Sequence, residues 1–275
     1  MRKDPNDPKD YDEPFKEIAR KSMDGYDSWI FQQPKFRAKH AYSAVPKLRN
    51  YLNYTFLRLV ALETGTPGEY FHWNVGQTWI CFNTGLQNSY GADLLAIFQR
   101  YQPKPGCPVP RPDNRPDWVY KGCHPSNDDH YRKIFGTRTP KIAWYSLDSR
   151  DYVFDTSYAL DKDAFDHLFE RAKERAGLPN QSDEVIRNYL RGTIENLAPK
   201  ILRNYKWAIP LFYVEEERMQ LLLPFHSANP GDISAFLVER DDANHCYRIK
   251  TIFDLDQAYF SARLITRPDK DWLNP

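Results

Sequence analysis

Long hydrophobic runs are missing from this chain. No apolar stretch approaches the roughly 18 residues that a membrane-spanning helix requires, and the mean hydropathy is −0.72. The amino terminus, MRKDPNDPKDYDEP, lacks the apolar segment of a secretory signal, which predicts a cytoplasmic protein with no membrane partner. Cysteine is scarce: Cys81, Cys107, Cys123 and Cys246 are the four present, and none forms a C-x-x-C pair. That spacing excludes a zinc ribbon or a thioredoxin-type redox pair, and reduced thiols are expected. There is no Walker A loop, no G-x-G-x-x-G, no H-E-x-x-H and no G-x-S-x-G, so the nucleotide, metalloprotease and hydrolase readings that rest on those motifs have no support. Acidic residues are absent between Asp27 and Glu63, whereas Lys35, Arg37, Lys39, Lys47, Arg49 and Arg58 all fall there. The overall net charge of +1 conceals this local imbalance.

At 275 residues and 41% hydrophobic content, the chain is long enough to bury a substantial core. Residues 1–40, rich in proline and aspartate at their start, read as an extended arm with Trp29, Ile30, Phe31 and Phe36 as anchors and a short helix at Phe15–Ala19. Residues 41–275 read as a single α+β domain. Pro46 suits a first helical turn, and Val45, Leu48, Leu52, Thr55, Leu59 and Leu62 form an apolar stripe that ends at Gly65. Short runs rich in aromatic and branched residues follow, at Gln77–Phe82, Leu94–Phe98, Trp118–Lys121, Ile142–Tyr145 and Tyr152–Phe154, and these predict strands. Between them QPKPGCPVPRPDNRP, residues 102–116, holds too many prolines for regular structure. Helices are predicted over Asp161–Ala176 and Ser182–Ala198, with Pro199 ending or kinking the second.

The last seventy residues organise the rest. Trp207–Tyr213 and Met219–Pro224 flank a charged turn and predict one hairpin; Ile233–Glu239 and Cys246–Ile252 predict another. Asp254, three residues before Gln257, starts a helix in the manner of a capping box. Leu255, Ala258, Tyr259, Ala262 and Ile265 share one face of it, and Asp256, Phe260, Arg263 and Arg267 share the other, which is either a solvated face or one turned to a ligand. The expected fold is therefore α+β, with mostly antiparallel sheets flanked by helices in a single compact domain.

Three patterns point to chemistry. Asn83-Thr84-Gly85 after a predicted strand reads as a turn, or as a glycine-permitted approach of backbone N–H groups to an anion. CHPSNDDH, residues 123–130, gathers residue types that ligate metals without a recognised zinc spacing. The strongest pattern interleaves cations with aromatics: Phe31, Phe36, Tyr42, Tyr51, Tyr54 and Phe56 sit in the acid-free stretch, and Arg203, Tyr205, Lys206 and Trp207 repeat the mixture. Cations neutralise phosphates while exposed rings stack on bases, which is how single strands are held without sequence reading.

At NYKWAIP, QLLLP, DLDQAYFSARLITRP and DWL, with YLNYTF and FNTGL nearer the amino terminus, the sequence resembles a family known as domain of unknown function 3825, over roughly residues 45–273. It departs from relatives at Leu211, where a glutamine often follows the motif proline, and at Ser261, where asparagine is common. The resemblance implies company with cold-shock and LOTUS-type RNA-binding modules, and hence work on RNA. The resulting expectation is an RNA-binding or RNA-processing domain. Its ligand would lie against Asn83, Thr84 and Gly85, with Lys206, Arg263 and Arg267 on phosphates and Tyr213, Gln220 and Tyr259 on base or sugar. Should the domain hydrolyse a phosphodiester or a nucleotide, Asp254 or Asp256 would act as base or bind Mg2+ or Mn2+, and Arg263 would stabilise developing charge. The alternatives are a nucleotide hydrolase or sensor with a small-ligand pocket, and a scaffold for a protein partner.

Overall fold

The computed structural model describes residues 12–32, 43–101, 118–161, 166–175, 178, 180–226 and 233–266. Where the sequence reads as one domain from residue 41 onward, the chain groups into two compact units, Met1–Trp144 and Tyr145–Pro275, each with its own sheet. The architecture is α+β, with sheets flanked by helices.

In the first unit, helix α1 (Glu13–Lys21) buries Pro14, Phe15, Ile18 and Ala19. Helix α2 (Pro46–Gly65) buries Leu48, Leu52, Thr55 and Leu59 of the expected stripe and also Tyr51, while Leu62 is half-buried. Asp12 ties their starts together: Ser43 Oγ donates to Asp12 Oδ1 at 2.8 Å, and the Ala44 N–H donates to Asp12 Oδ2. Strands β1 (Phe71–Trp73), β2 (Trp79–Gln87), β3 (Asp93–Arg100) and β4 (Trp118–Pro125) pair antiparallel in chain order. Alternation along them separates two faces. Cys81, Leu95 and Ile97 pack on Tyr131 of helix α3 (Asp129–Phe135). The opposite face carries an aromatic row, Phe71, Phe82, Phe98 and Tyr120, with successive ring centroids 6.0, 5.8 and 5.6 Å apart. A flat sheet would hold β1 and β4 about 14 Å apart. Trp73 on β1 and Trp118 on β4 have centroids only 5.3 Å apart, so the sheet curls strongly about its aromatic face.

In the second unit the strand order is β5-β9-β8-β7-β6, from β5 (Ala159–Leu160), β6 (Ile209–Tyr213), β7 (Arg218–His226), β8 (Ile233–Asp241) and β9 (Cys246–Asp254). Only the two-residue β5 runs parallel to its neighbour. Both expected hairpins are present, β6 with β7 and β8 with β9. One face packs Leu221, Leu223, Phe225, Phe236 and Ile249 against helices α4 (Phe169–Arg175) and α5 (Asp183–Arg203). The other packs Leu211, Leu222, Leu237 and Phe253 against Ala258 and Ala262 of helix α6 (Leu255–Arg263).

Several expectations need correction. Asn83-Thr84-Gly85 is no turn but the middle of β2, where the ladder shifts register. Ile142–Tyr145 forms no strand: Ile142 is 55% exposed, and Trp144 is held through its carbonyl and ring by Arg58 rather than by a neighbouring strand. Tyr152–Phe154 forms no strand: Tyr152 closes a 3-10 turn, Ser149–Tyr152, which Asp148 caps by accepting from the Arg150 N–H at 2.9 Å. Helix α5 passes through Pro199 to Arg203, because Leu197 and Ile201 on either side of the proline are both buried against the sheet. Of the predicted helix 161–176, Asp166–Leu168 is a 3-10 turn ahead of α4, and residues 162–165 and 176 lie outside the described residues. The face of α6 read as outward is buried at Asp256, with no exposed surface, and at Phe260. An aspartate in a helix reads as solvated because charged side chains seldom lose all contact with water.

Candidate nucleic-acid interface

The two cation-aromatic stretches have different fates. In the acid-free stretch Lys47 is completely buried, and Phe31 and Tyr51 are buried with it. The Arg49 guanidinium lies 5.9 Å from the Phe15 ring centroid. Arg58 lies 5.2 Å from the Trp144 ring and donates from Nε to its carbonyl at 2.8 Å. Phe56 joins the aromatic row, 5.7 Å from Phe71 and 5.5 Å from Phe82. Lys35, Phe36, Arg37, Lys39 and Tyr42 lie outside the described residues, as do 102–116.

Asn83, Thr84 and Gly85 belong to the first unit, where their polar groups hold the β-bulge. Asn83 Nδ2 donates to Asp93 Oδ2 at 3.0 Å and its Oδ1 accepts from the Gly85 N–H at 3.0 Å. Thr84 Oγ1 donates to the Leu94 carbonyl at 2.7 Å and accepts from the Leu86 N–H at 3.2 Å. The N–H groups suggested for an anion are thus taken by the bulge's own side chains. Gly85 has φ +73°, and a Cβ there would stand 2.7 Å from the Tyr51 hydroxyl, which donates to the Thr84 carbonyl.

In the second unit the helical phase that turns Leu197 and Ile201 inward leaves Leu202 and Arg203 exposed. Asn204 ends α5, and its Oδ1 accepts from the Lys206 N–H at 3.1 Å, starting the 3-10 turn Tyr205–Trp207. Lys206 and Tyr205 point into solvent, Tyr205 being 67% exposed. Lys200 Nζ stands 4.9 Å from the Trp207 ring centroid, and the His226 ring is 6.5 Å from the same indole. Burial, and then the Lys200 charge, lowers the His226 pKa. No acidic residue occurs in the sequence between Glu195 and Glu215, where Lys200, Arg203 and Lys206 fall.

Tyr213 and Gln220 meet as diagonal neighbours on the α6 side of the sheet, since Tyr213 pairs with Arg218 and Leu211 with Gln220. They lie at the far end of β6 from Lys206, about 20 Å along an extended strand, so the structure separates them from that lysine. Gln220 is 3% exposed; its Nε2 donates to Glu216 at 3.0 Å, and its Oε1 is buried with no hydrogen-bond partner. Burial pushes the Tyr213 phenol up to about 12, and its hydroxyl donates to Glu215. Asp254 caps α6, accepting from the Gln257 N–H at 2.8 Å, and burial raises its pKa. Asp256 and Tyr259 are buried, Arg263 closes the helix half-buried, and Arg267 lies outside the described residues. Among the described residues no group of three or more His, Cys, Asp or Glu is placed to hold a metal ion, and no helix is long and apolar enough to cross a membrane.

Sequence reading overlooked Arg171 and Arg175. Arg171 Nη1 donates to Thr251 Oγ1, and its charge is felt at Tyr213. Arg175 Nη1 is buried without a hydrogen-bond partner. The signal was present in FERAKER, where the two arginines stand four apart and so share a helix face.

The family described as domain of unknown function (DUF3825) matches residues 21–272, nearly the whole chain, and the protein belongs to it. No curated protein and no solved structure matches.

Proposed function

We propose that this protein is a cytoplasmic RNA-binding or RNA-processing domain that contacts phosphates through lysine and arginine and bases through aromatic rings. The observation that carries this reading is the outward cluster at the end of α5: Arg203, Tyr205 and Lys206 exposed, with Lys200 against the half-buried Trp207. Cations beside an exposed ring suit a flexible single strand, whose phosphates and bases alternate at short range. Fluorescence anisotropy with short single-stranded RNA and DNA across a salt series tests it. A complex whose affinity falls steeply with salt is expected, because each neutralised phosphate releases counterions. Absence of any RNA or nucleotide effect on binding or thermal stability would replace this reading with the protein-interaction scaffold.

A second reading, a nucleotide-binding phosphodiesterase, hydrolase or sensor, is favoured by the buried open acceptor on Gln220. In that case Asp254, whose pKa burial raises above the ordinary carboxylate value, is the carboxyl group suited to proton transfer. Tight mononucleotide binding with little salt dependence would select it.

A further inference from the structure

We propose that α4, β6, β7 and β9 form a binding site for a nucleoside phosphate, in which Arg171 and Arg175 hold the phosphate and Gln220 Oε1 accepts a hydrogen bond from the nucleoside. The proposal deepens the RNA reading and rests on it only for the nucleoside half of the ligand.

Three features of this arrangement are individually unfavourable, and a bound anion relieves each. Arg171 and Arg175 are like charges one helical turn apart, a repelling arrangement. The Arg175 guanidinium is desolvated and its Nη1 N–H has no acceptor, although a buried donor left unsatisfied is costly. Burial is the largest influence lowering the Arg175 pKa, and the Arg171 charge adds to it. Asp254 and Glu174 are near enough to be felt by Arg175, yet neither accepts from its Nη1.

The acids around Gln220 are engaged by other cations. Glu216 accepts from Arg218 and from Gln220 Nε2, and Lys250 Nζ stands 3.6 Å from it. Glu239 pairs with Arg218 and, at 3.1 Å, with Lys250. This network fixes the Gln220 amide by its nitrogen and leaves the oxygen without a hydrogen-bond partner. Coiling of the sheet brings the pieces together: Tyr213 on the β6 edge and Phe253 on β9 have ring centroids 6.1 Å apart, despite standing three strands apart in the sheet. Arg171, reaching Thr251 of β9 and influencing Tyr213 of β6, spans the same gap. A phosphate there would take a bidentate guanidinium contact, the geometry arginine provides and lysine does not.

The test is a thermal-shift and calorimetric titration of the full chain with the four ribonucleoside 5′-monophosphates, the corresponding nucleosides and inorganic phosphate. At least one monophosphate should raise Tm and bind more tightly than phosphate, with the bare nucleoside weaker than either. Arg175→Met, which keeps the aliphatic stem, should weaken monophosphate binding by at least about thirty-fold, as for loss of a buried charged contact. Its unliganded Tm should be no lower than that of the parent, because an unpaired buried cation is gone. Gln220→Met should leave phosphate binding intact and erase the preference for the nucleotide. If Arg175→Met does not fold, Arg171→Met at an exposed position provides the same comparison.

Short RNAs with and without a 5′-phosphate separate the two sources of this chemistry. Competition by the phosphorylated RNA alone marks a strand end as ligand, and competition by free nucleotide alone marks a soluble one. No response to any monophosphate, or unchanged binding in both arginine variants, overturns the site. Loss of RNA binding in Lys206→Ala with monophosphate binding retained would leave this site standing and separate it from the surface at the end of α5.

Discussion

Residues 28–62 and residues 200–207 have the same mixture of cations and aromatics without acids, and the fold uses them differently. Along α2 the described cations pack on the protein's own groups: Lys47 is buried, and Arg49 and Arg58, both half-buried, face Phe15 and Trp144. At the end of α5, Arg203, Tyr205 and Lys206 turn to solvent. Arginine and lysine stems cover apolar surface as readily as their heads bind phosphate, so composition alone does not separate a packing cation from a binding one. Helical phase and the position of the chain's turn do.

The sharpest way to disturb the inward region is Gly85→Ala. It forces a side chain into a left-handed backbone position and toward the Tyr51 hydroxyl, and should cost about 2–3 kcal/mol by urea denaturation. Adding Tyr51→Phe removes the obstructing oxygen and should recover part of that loss, whereas two independent effects would simply add.

Asp254→Ala should cost about 1 kcal/mol through loss of the α6 cap, while Asp254→Asn keeps a capping oxygen. The pH dependence has a definite sign. Burial raises the folded pKa of Asp254 above the ordinary 3.8, so the folded state holds a proton that the unfolded chain has released. Its contribution to stability is full below that ordinary value and declines as pH rises through the folded pKa, with a slope of at most about 1.4 kcal/mol per pH unit. Asp254→Asn should flatten this decline in a series of denaturation curves, and an unchanged slope would reassign it to another group.

Arg58→Ala comes next in size. Loss of its contacts to Trp144 should lower stability by about 0.5–1 kcal/mol and leave RNA affinity unchanged.

What was legible in the sequence follows the same division. The α2 stripe, both hairpins of the second sheet and the Asp254 cap were readable because local periodicity and turn chemistry decide them. β1, with three residues, and β5, with two, carry too little pattern to be read. The β2 bulge was taken for a turn because Asn-Thr-Gly serves either purpose, and only Asp93 and Tyr51, distant in sequence, decide between them. Tyr213 and Gln220 were found as candidates, but not their neighbours Arg171 and Thr251, which the coiling of the sheet and an arginine's reach bring in from elsewhere in the chain. Burial of both faces of α6 was equally illegible, since Asp256 reads as solvent-facing until the packing around it is known.

The measurement that tests the contrast most directly is the salt dependence of single-stranded RNA binding by the parent chain, by Arg203→Ala/Lys206→Ala and by Arg58→Ala. The double variant should bind more weakly, with the slope of log affinity against log salt reduced by about 1.4, near 0.7 for each lost contact to a single strand, while Arg58→Ala follows the parent. A double variant indistinguishable from the parent, or an Arg58→Ala slope reduced to the same extent, would contradict the assignment of RNA contact to the end of α5.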